Sequence, residues 1–327
     1  MENKTILSGM RPTGKLHLGH WVGALSNWTR LQEKYHCYFM VADWHALMSE
    51  YKDSSSIKEF AIDNVADWLS CGIDPNKSNI FIQSQVPEHL ELSMILSVMV
   101  PLGWLLRCPT FKDQVKQLKD KEVNTYAFLG YPVLQSADIL LYKADTVPVG
   151  EDQLPHLELC REIVRKFHLI TKTEVFIEPQ PLLTNIPRFL GIDGRKMSKS
   201  YKNDIALDED DKNLEIKVLA MFTDPQRKRR NDPGRPQICN VFSSYLIFKE
   251  EFKDEVYDWC IKAKKGCRDC KKMLYEIIKD FIAPIREKKE ELLKDKNYIK
   301  DILEEGRKKA KNTAIQTIKE TREALKL

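Results

Sequence analysis

The chain predicts an α/β fold, a doubly wound parallel sheet of Rossmann type, joined to a second, all-helical domain. Three observations carry this expectation. Over roughly the first two hundred residues, short β-like runs alternate with longer helical ones, the pattern of a parallel sheet covered on both faces. Beyond about residue 200 the strand signals fade, Lys and Glu rise, and helical periodicity dominates to the end. The length of 327 residues exceeds what one small core organises, so two domains are the default. The boundaries expected are residues 1–200 and 201–327, with the last helix able to pack back on the first domain.

In chain order, Thr5-Ile6-Leu7 reads as a short strand that passes through a turn at Pro12-Thr13-Gly14 into a helix. Val22, Leu25, Trp28 and Leu31 recur every three residues on the buried face of that helix. Cys37 to Ala42 is a second strand ending at Asp43. Ile57 to Cys71 is a helix stopped by Gly72 and Asp74-Pro75, and Asn79 to Gln83 is a third strand. An apolar helix from Glu88 is disturbed by Pro101 and Gly103. A helix over Pro132–Tyr142, a strand over Thr146–Val149 and a helix over Glu151–Phe167 follow. Pro179 to Pro187 reads as a proline-rich connection. At the far end Ile302, Leu303, Ala310, Ala314, Ile318 and Leu325 form a loose apolar stripe over 299–325.

Composition excludes some classes. With 43% hydrophobic and 31% charged residues the chain is an ordinary globular one, without an apolar run of bilayer length or a signal-peptide pattern. A cytoplasmic protein with no membrane partner is expected. The net charge of +4 is too small to imply a polyanionic partner by itself, so its distribution matters more.

Two stretches carry chemistry. Ser8 to Gly23, SGMRPTGKLHLGHWVG, passes from a strand to a helix with His17, Gly19 and His20 at the junction. Free backbone N–H groups and the positive end of a helix dipole suit a phosphate there, and two histidines can hold a phosphoryl group without acting as nucleophiles. Lys196-Met197-Ser198-Lys199-Ser200 follows Gly194 on a loop. Its two lysines form a mobile cationic clamp, each a compact charge able to follow a phosphate as charge develops.

Together, Thr13-Gly14-Lys15-Leu16-His17-Leu18-Gly19-His20 and the KMSKS stretch resemble the two signature motifs of class I aminoacyl-tRNA synthetases. Tyr131 to Tyr142 (YPVLQSADILLY), with Val147 to Gln153 and His156, is similar to the tryptophanyl-tRNA synthetase family, and the resemblance spans essentially the whole chain. It implies activation of L-tryptophan by ATP with Mg²⁺, transfer to tRNA(Trp), and a homodimer. It places His17, His20, Lys112, Lys196 and Lys199 in catalysis. Met10, Arg11, Thr13, Gly19, His20, Gly150, Asp152, Lys196, Met197 and Lys199 would surround ATP. Leu7, His45, Tyr131, Gln135, Asp138 and Gln153 would surround tryptophan, with Asp138 accepting a hydrogen bond from the indole N–H. The chemistry agrees: a carboxylate on the inner face of an apolar helix is costly unless paired. Indole N–H is a donor only, and phenylalanine would leave the carboxylate unpaired at a cost of roughly 1–3 kcal/mol. Alternatives are a tyrosyl-tRNA synthetase, a related nucleotidylyltransferase, or an RNA-binding protein that does not charge tRNA.

Of eight cysteines, Cys37, Cys71, Cys108 and Cys160 are scattered and read as small buried hydrophobes. Cys239, Cys260, Cys267 and Cys270, separated by twenty, six and two residues, form a Cys₄ set open chemically to zinc or an iron–sulfur cluster. The resemblance implies the latter, because a bacterial subset of the family carries a 4Fe–4S cluster on such cysteines. Arg227-Lys228-Arg229-Arg230, and six basic residues against one acid between Lys262 and Lys272, put concentrated positive charge beside them. This end is expected to receive the tRNA anticodon.

Overall fold

The computed structural model describes residues 4–108, 124–183 and 189–327. Five parallel strands form one sheet: β1 (Thr5–Met10), β2 (His36–Val41), β3 (Ser78–Ile82), β4 (Thr146–Val149) and β5 (Gln180–Leu183), in the order β3-β2-β1-β4-β5. Succession reverses between β1 and β4, so the carboxyl ends of β1, β2 and β4 open a crevice where ligands bind in doubly wound folds. The expected fold class is the observed one.

Both faces of the sheet are buried, which is why the strands read as apolar runs. Ile6, Phe39 and Ile80 enter one core with Trp28 and Trp68, where Trp28 stacks on Phe39 at 4.3 Å between ring centroids. Their neighbours Leu7, Met40 and Phe81 enter a second core on the opposite face. The helices of the first region are α1 (Leu18–His20), α2 (Ser26–Leu31), α3 (Asp43–Glu50), α4 (Ile57–Ser70), α5 (Glu88–Ser97), α6 (Leu102–Arg107), α7 (Tyr126–Leu141) and α8 (Leu154–Thr171). They are followed by α9 (Asp211–Ala220), α10 (Asn240–Phe248), α11 (Lys253–Ile261), α12 (Cys267–Lys294) and α13 (Lys296–Leu325). No helix among the described residues is long and apolar enough to cross a membrane.

Four expectations need correction. The first strand runs on to Met10, so Ser8 and Gly9 belong to it; a Cβ on Gly9 would stand 2.9 Å from the Met40 carbonyl oxygen, and only glycine fits that pairing. Part of the proline-rich connection is β5, with Pro181 opposite Val147. Proline is tolerated because this is an edge strand, with a partner on one side only. The helix expected from Pro132 begins at Tyr126, where the Thr125 side chain caps it by accepting from the Phe128 N–H at 3.2 Å, and Pro132 lies inside it. Finally, Glu151–Gln153 is a separate 3₁₀ turn ahead of α8.

The apolar stripe of α13 lies against the sheet. Gly306 allows this: a Cβ there would stand 1.9 Å from the Ile80 carbonyl oxygen. Leu303, Ala310, Ala314 and Ile318 are buried around it, and Tyr38 shares a 3.0 Å hydrogen bond with Thr313. The long helix thereby covers the β3 edge of the sheet, which would otherwise be open to strand addition.

A second tie is electrostatic. Lys289 on α12, only 2% exposed, places Nζ 3.0 Å from Asp63, 3.0 Å from Asp67 and 3.1 Å from Asp208. Burial alone would discharge this ammonium; the three aspartates more than offset that and hold its pKa above the ordinary lysine value. Asp208 also takes Lys15 at 2.8 Å, which connects the node to the first motif.

Candidate active site

The two motifs meet through backbone pairing. The Leu18 N–H donates to the Ile205 carbonyl at 2.9 Å, and the Leu207 N–H donates to the Leu16 carbonyl at 3.0 Å. Residues 16–18 are therefore zipped to the segment just after the KMSKS stretch. Gly14, at φ +137°, leaves space that a side chain would take from Lys199, whose Nζ lies 2.9 Å from where a Cβ would be. Extended His17 precedes α1; its N–H donates to His20 Nδ1 at 3.1 Å, and the two rings lie 3.8 Å apart. The chain then takes one π turn over Trp21–Leu25 before α2. Such turns are frequent at functional sites.

The second motif is held by a residue that sequence reasoning missed. Asn203, 1% exposed, accepts from the Ser198 N–H at 2.8 Å and donates to the Lys196 carbonyl at 3.1 Å and to Asp193 at 2.7 Å. A Cβ on Gly191 would stand 2.3 Å from its amide, so that glycine makes its seat. The sequence carries no signal for this beyond an Asn three residues past KMSKS. Met197 turns its side chain into the core, 4% exposed, and its N–H faces the Phe189 carbonyl at 3.5 Å, while Lys196 is exposed.

Burial sets the charges. It pulls the His17 pKa down to about 4, with Asp204 opposing and Lys199 assisting. His20 is pushed well below its usual value by burial, then by His17 and the two lysines. Lys199 falls to about 8 through burial, against the pull of Asp204, Asp67 and Asp63. At neutral pH the histidines are neutral imidazoles and Lys199 is a cation close to its titration point. His17 Nδ1 is buried with no hydrogen-bond partner among the described residues.

Beside the motifs, a cavity of about 400 Å³ opens at the ends of β1, β2 and β4. That is within the ordinary range for a small-molecule site, about 300–1,000 Å³. Leu7, His45, Tyr131, Gln135, Asp138 and Gln153, expected around the amino acid, all line it, and so do Arg11 and Gly150. Apolar walls that sequence reasoning did not assign come from Met40, Phe128, Val147 and Val149. Tyr131 OH is 2.7 Å from His156 Nε2, and His156 Nδ1 is 3.0 Å from Gln153 Oε1. Burial draws His156 down to about 4, so it stays neutral and passes a hydrogen bond between the two. Asp152 Oδ1 lies 2.8 Å from where a Cβ on Gly150 would be. Met10, Thr13, Gly19, His17, His20, Asp152, Lys196, Met197 and Lys199 lie outside this lining, and Lys112 falls outside the described residues.

Asp138 is 2% exposed, and its carboxylate receives His45 Nε2 at 2.8 Å on Oδ2 and His89 Nδ1 at 2.7 Å on Oδ1. Burial would push this carboxyl up; the hydrogen bonds from His45 and His89 more than offset it and hold it at about 2.

Cys239, Cys260, Cys267 and Cys270 line one small apolar pocket with Arg227 and Lys265. A Cβ on Gly234 would stand 2.6 Å from the Cys260 sulfur, so glycine makes room for it. Burial raises the Cys270 thiol to about 12 and raises Cys239 and Cys260. Among the described residues, no group of three or more His, Cys, Asp or Glu stands close enough to hold a metal ion. The four cysteines thus share a pocket without being drawn into ligating geometry.

The histidines of the strand–helix junction and the lysines of the second motif thus meet beside one cavity at the carboxyl ends of the strands. The family profile described as tRNA synthetases class I (W and Y) matches residues 1–283. A tryptophan–tRNA ligase of Thermotoga maritima is 50% identical over 98% of this chain and 99% of its own length, and one of Aquifex aeolicus is 40% identical over 98% and 99%. The crystal structure of tryptophanyl-tRNA synthetase from Campylobacter jejuni complexed with ADP and tryptophan superposes with a TM-score of 0.89 at 34% identity, covering 99% of this chain and all of that one. The chain belongs to the tryptophanyl-tRNA synthetase family. A tyrosyl-tRNA synthetase from Aeropyrum pernix, 18% identical with a TM-score of 0.68, shares the fold.

The depressed pKa of Lys199 has a testable consequence. The efficiency kcat/KM for ATP in amino-acid activation should fall as pH rises through about 8, where the free enzyme loses this charge. Lys199→Arg should abolish that fall, and Lys199→Ala should slow activation by about 10²-fold while weakening amino-acid binding far less. A wild-type profile flat up to the ordinary lysine pKa of about 10.4 would exclude the role.

Proposed function

We infer that this enzyme is a tryptophan–tRNA ligase that activates L-tryptophan with ATP and Mg²⁺ and transfers it to tRNA(Trp). The observation that carries this reading is the meeting of both motifs beside a cavity in which Asp138 stands as a buried acceptor. The tryptophan carboxylate attacks the α-phosphorus in line, tryptophanyl-adenylate forms and pyrophosphate leaves. The tRNA 3′-terminal hydroxyl then attacks the acyl carbon and AMP departs. No enzyme nucleophile is needed, and catalysis is positioning plus charge stabilisation.

The family resemblance supports the following roles. His17 and His20, neutral, donate single N–H groups to the triphosphate around its α-phosphate. Lys196 and Lys199, carried on the loop that Asn203 secures, follow the departing pyrophosphate. Gly19, whose absent side chain makes room for the His17 ring, adjoins the adenine; Gly150 and Asp152 adjoin the ribose; Met10, Arg11 and Thr13 border the nucleotide. Mg²⁺ arrives with ATP, bound mainly through the phosphates. Leu7, Tyr131, Gln135 and Gln153 enclose tryptophan, and Asp138 with His45 reads the indole N–H. Pyrophosphate exchange should run with tryptophan and be at least about 10³-fold slower with tyrosine; the reverse preference would overturn the substrate assignment.

Three finer readings accompany it. Arg227–Arg230 and the lysines around Cys267 form the tRNA-facing surface of a helical domain over residues 201–327. Reversing Arg229 and Arg230 to Glu should weaken tRNA charging about tenfold or more while sparing adenylate formation; equal loss in both would count against it. Cys239, Cys260, Cys267 and Cys270 would have to close in to hold a 4Fe–4S cluster or Zn²⁺; that they face one pocket with a basic rim, where Gly234 makes space for a sulfur, supports that reading. When bound, the group would supply rigidity to that surface. Met94 on α5, Val98 just past its end, and Leu102 and Leu106 on α6 are 63%, 76%, 60% and 47% exposed, apolar side chains suited to a second copy of the chain. Anaerobically purified protein should be brown and sediment as a dimer; a colourless, zinc-loaded protein would decide for zinc, and a monomer would remove the dimer reading.

A further inference from the structure

Behind the cavity lies a cluster with no role so far. Besides His45, the Asp138 carboxylate is held by two wholly buried side chains that do not line the cavity. These are Gln83, just past β3, whose Nε2 is 2.7 Å from Oδ1, and His89 on α5, whose Nδ1 is 2.7 Å from the same oxygen. The other nitrogen of His89, Nε2, is 2.8 Å from the hydroxyl of Tyr142, four residues after Asp138. The His89 ring also packs against Phe81 at 6.0 Å.

These contacts fix a hydrogen-bond direction. Facing a carboxylate, His89 Nδ1 is the donor to Asp138, and Nε2 pairs with the Tyr142 hydroxyl. A carboxylate offers about four acceptor sites. Oδ1 receives two donors from the protein, Oδ2 receives one from His45, and one site on Oδ2 remains. His45 and Asp138 both line the cavity, so that last site belongs to a ligand. Without Gln83 and His89, the carboxylate could turn Oδ1 outward or take up a proton, and the site would no longer ask for one N–H donor.

We propose that His89 and Gln83 are positioning residues that immobilise Asp138 from behind and so set the preference for an amino-acid side chain carrying a single N–H donor. This rests on the reading of Asp138 as the indole acceptor. The test compares tryptophan with its benzothienyl analogue, in which sulfur replaces the indole N–H, in pyrophosphate exchange. Wild type should favour tryptophan by at least about tenfold in kcat/KM. His89→Leu should lose most of that preference through a raised KM for tryptophan, with kcat and the KM for ATP little changed. Its KM should climb further as pH falls from about 8 to about 5, because Asp138 has lost a donor that disfavours its protonation. His89→Asn, which keeps an N–H near Nδ1, should restore both. Gln83→Met removes the other donor and should shift the preference in the same direction, which carries the test if His89→Leu does not fold. Equal use of both amino acids by wild type would overturn the Asp138 reading itself. A preference in wild type that persists, pH-independent, in His89→Leu or Gln83→Met would leave that reading standing and overturn this proposal.

Discussion

One buried ammonium ties the molecule together. Lys289 comes from α12, Asp63 and Asp67 from α4, and Asp208 from the segment after the second motif. A buried charge is tolerable only while its partners are in place, and breaking such a group costs about 3–5 kcal/mol. The node is therefore satisfied only when α12, the α4 layer on the sheet and the end of the KMSKS segment are correctly packed. Asp208 directly follows Leu207, whose backbone pairs with the first motif, and it also binds Lys15. The register of the two motifs is thus tied to the packing of α12 and α4.

The same burial has opposite uses in the two halves of the site. Around the motifs it strips charge from His17 and His20 and weakens Lys199 before any nucleotide arrives. A polyphosphate entering there restores the favourable environment for cations, so charge is strongest when the substrate is present. Around Asp138 the surroundings are built to keep a charge: donors from α3, α5 and the β3 end outweigh desolvation. One side of the site weakens charge, whereas the other is built to hold it.

The legible parts were those written in local pattern. Alternating strands and helices, the apolar face of Val22, Leu25, Trp28 and Leu31, and the strand at Thr146–Val149 appear where the sequence puts them, because period and burial coincide there. Expectations failed where context overrode local preference. Prolines near Gln180 read as connection until an edge pairing made them harmless, and Pro132 read as a helix start although Thr125 caps the helix seven residues earlier.

The chain by itself determined the chemistry. The paired histidines, the KMSKS lysines and the ADIL aspartate are residue types that few other tasks require in that combination, and short-range pattern suffices to see them. Tertiary structure alone decided how they act together. Gly306 admitting α13 onto Ile80, and His89 with Gln83 standing behind Asp138, depend on atoms distant in sequence meeting within about 3 Å. Hydrogen bonds of that length are made by packing, and a one-dimensional pattern does not encode which side of a carboxylate a neighbour will hold.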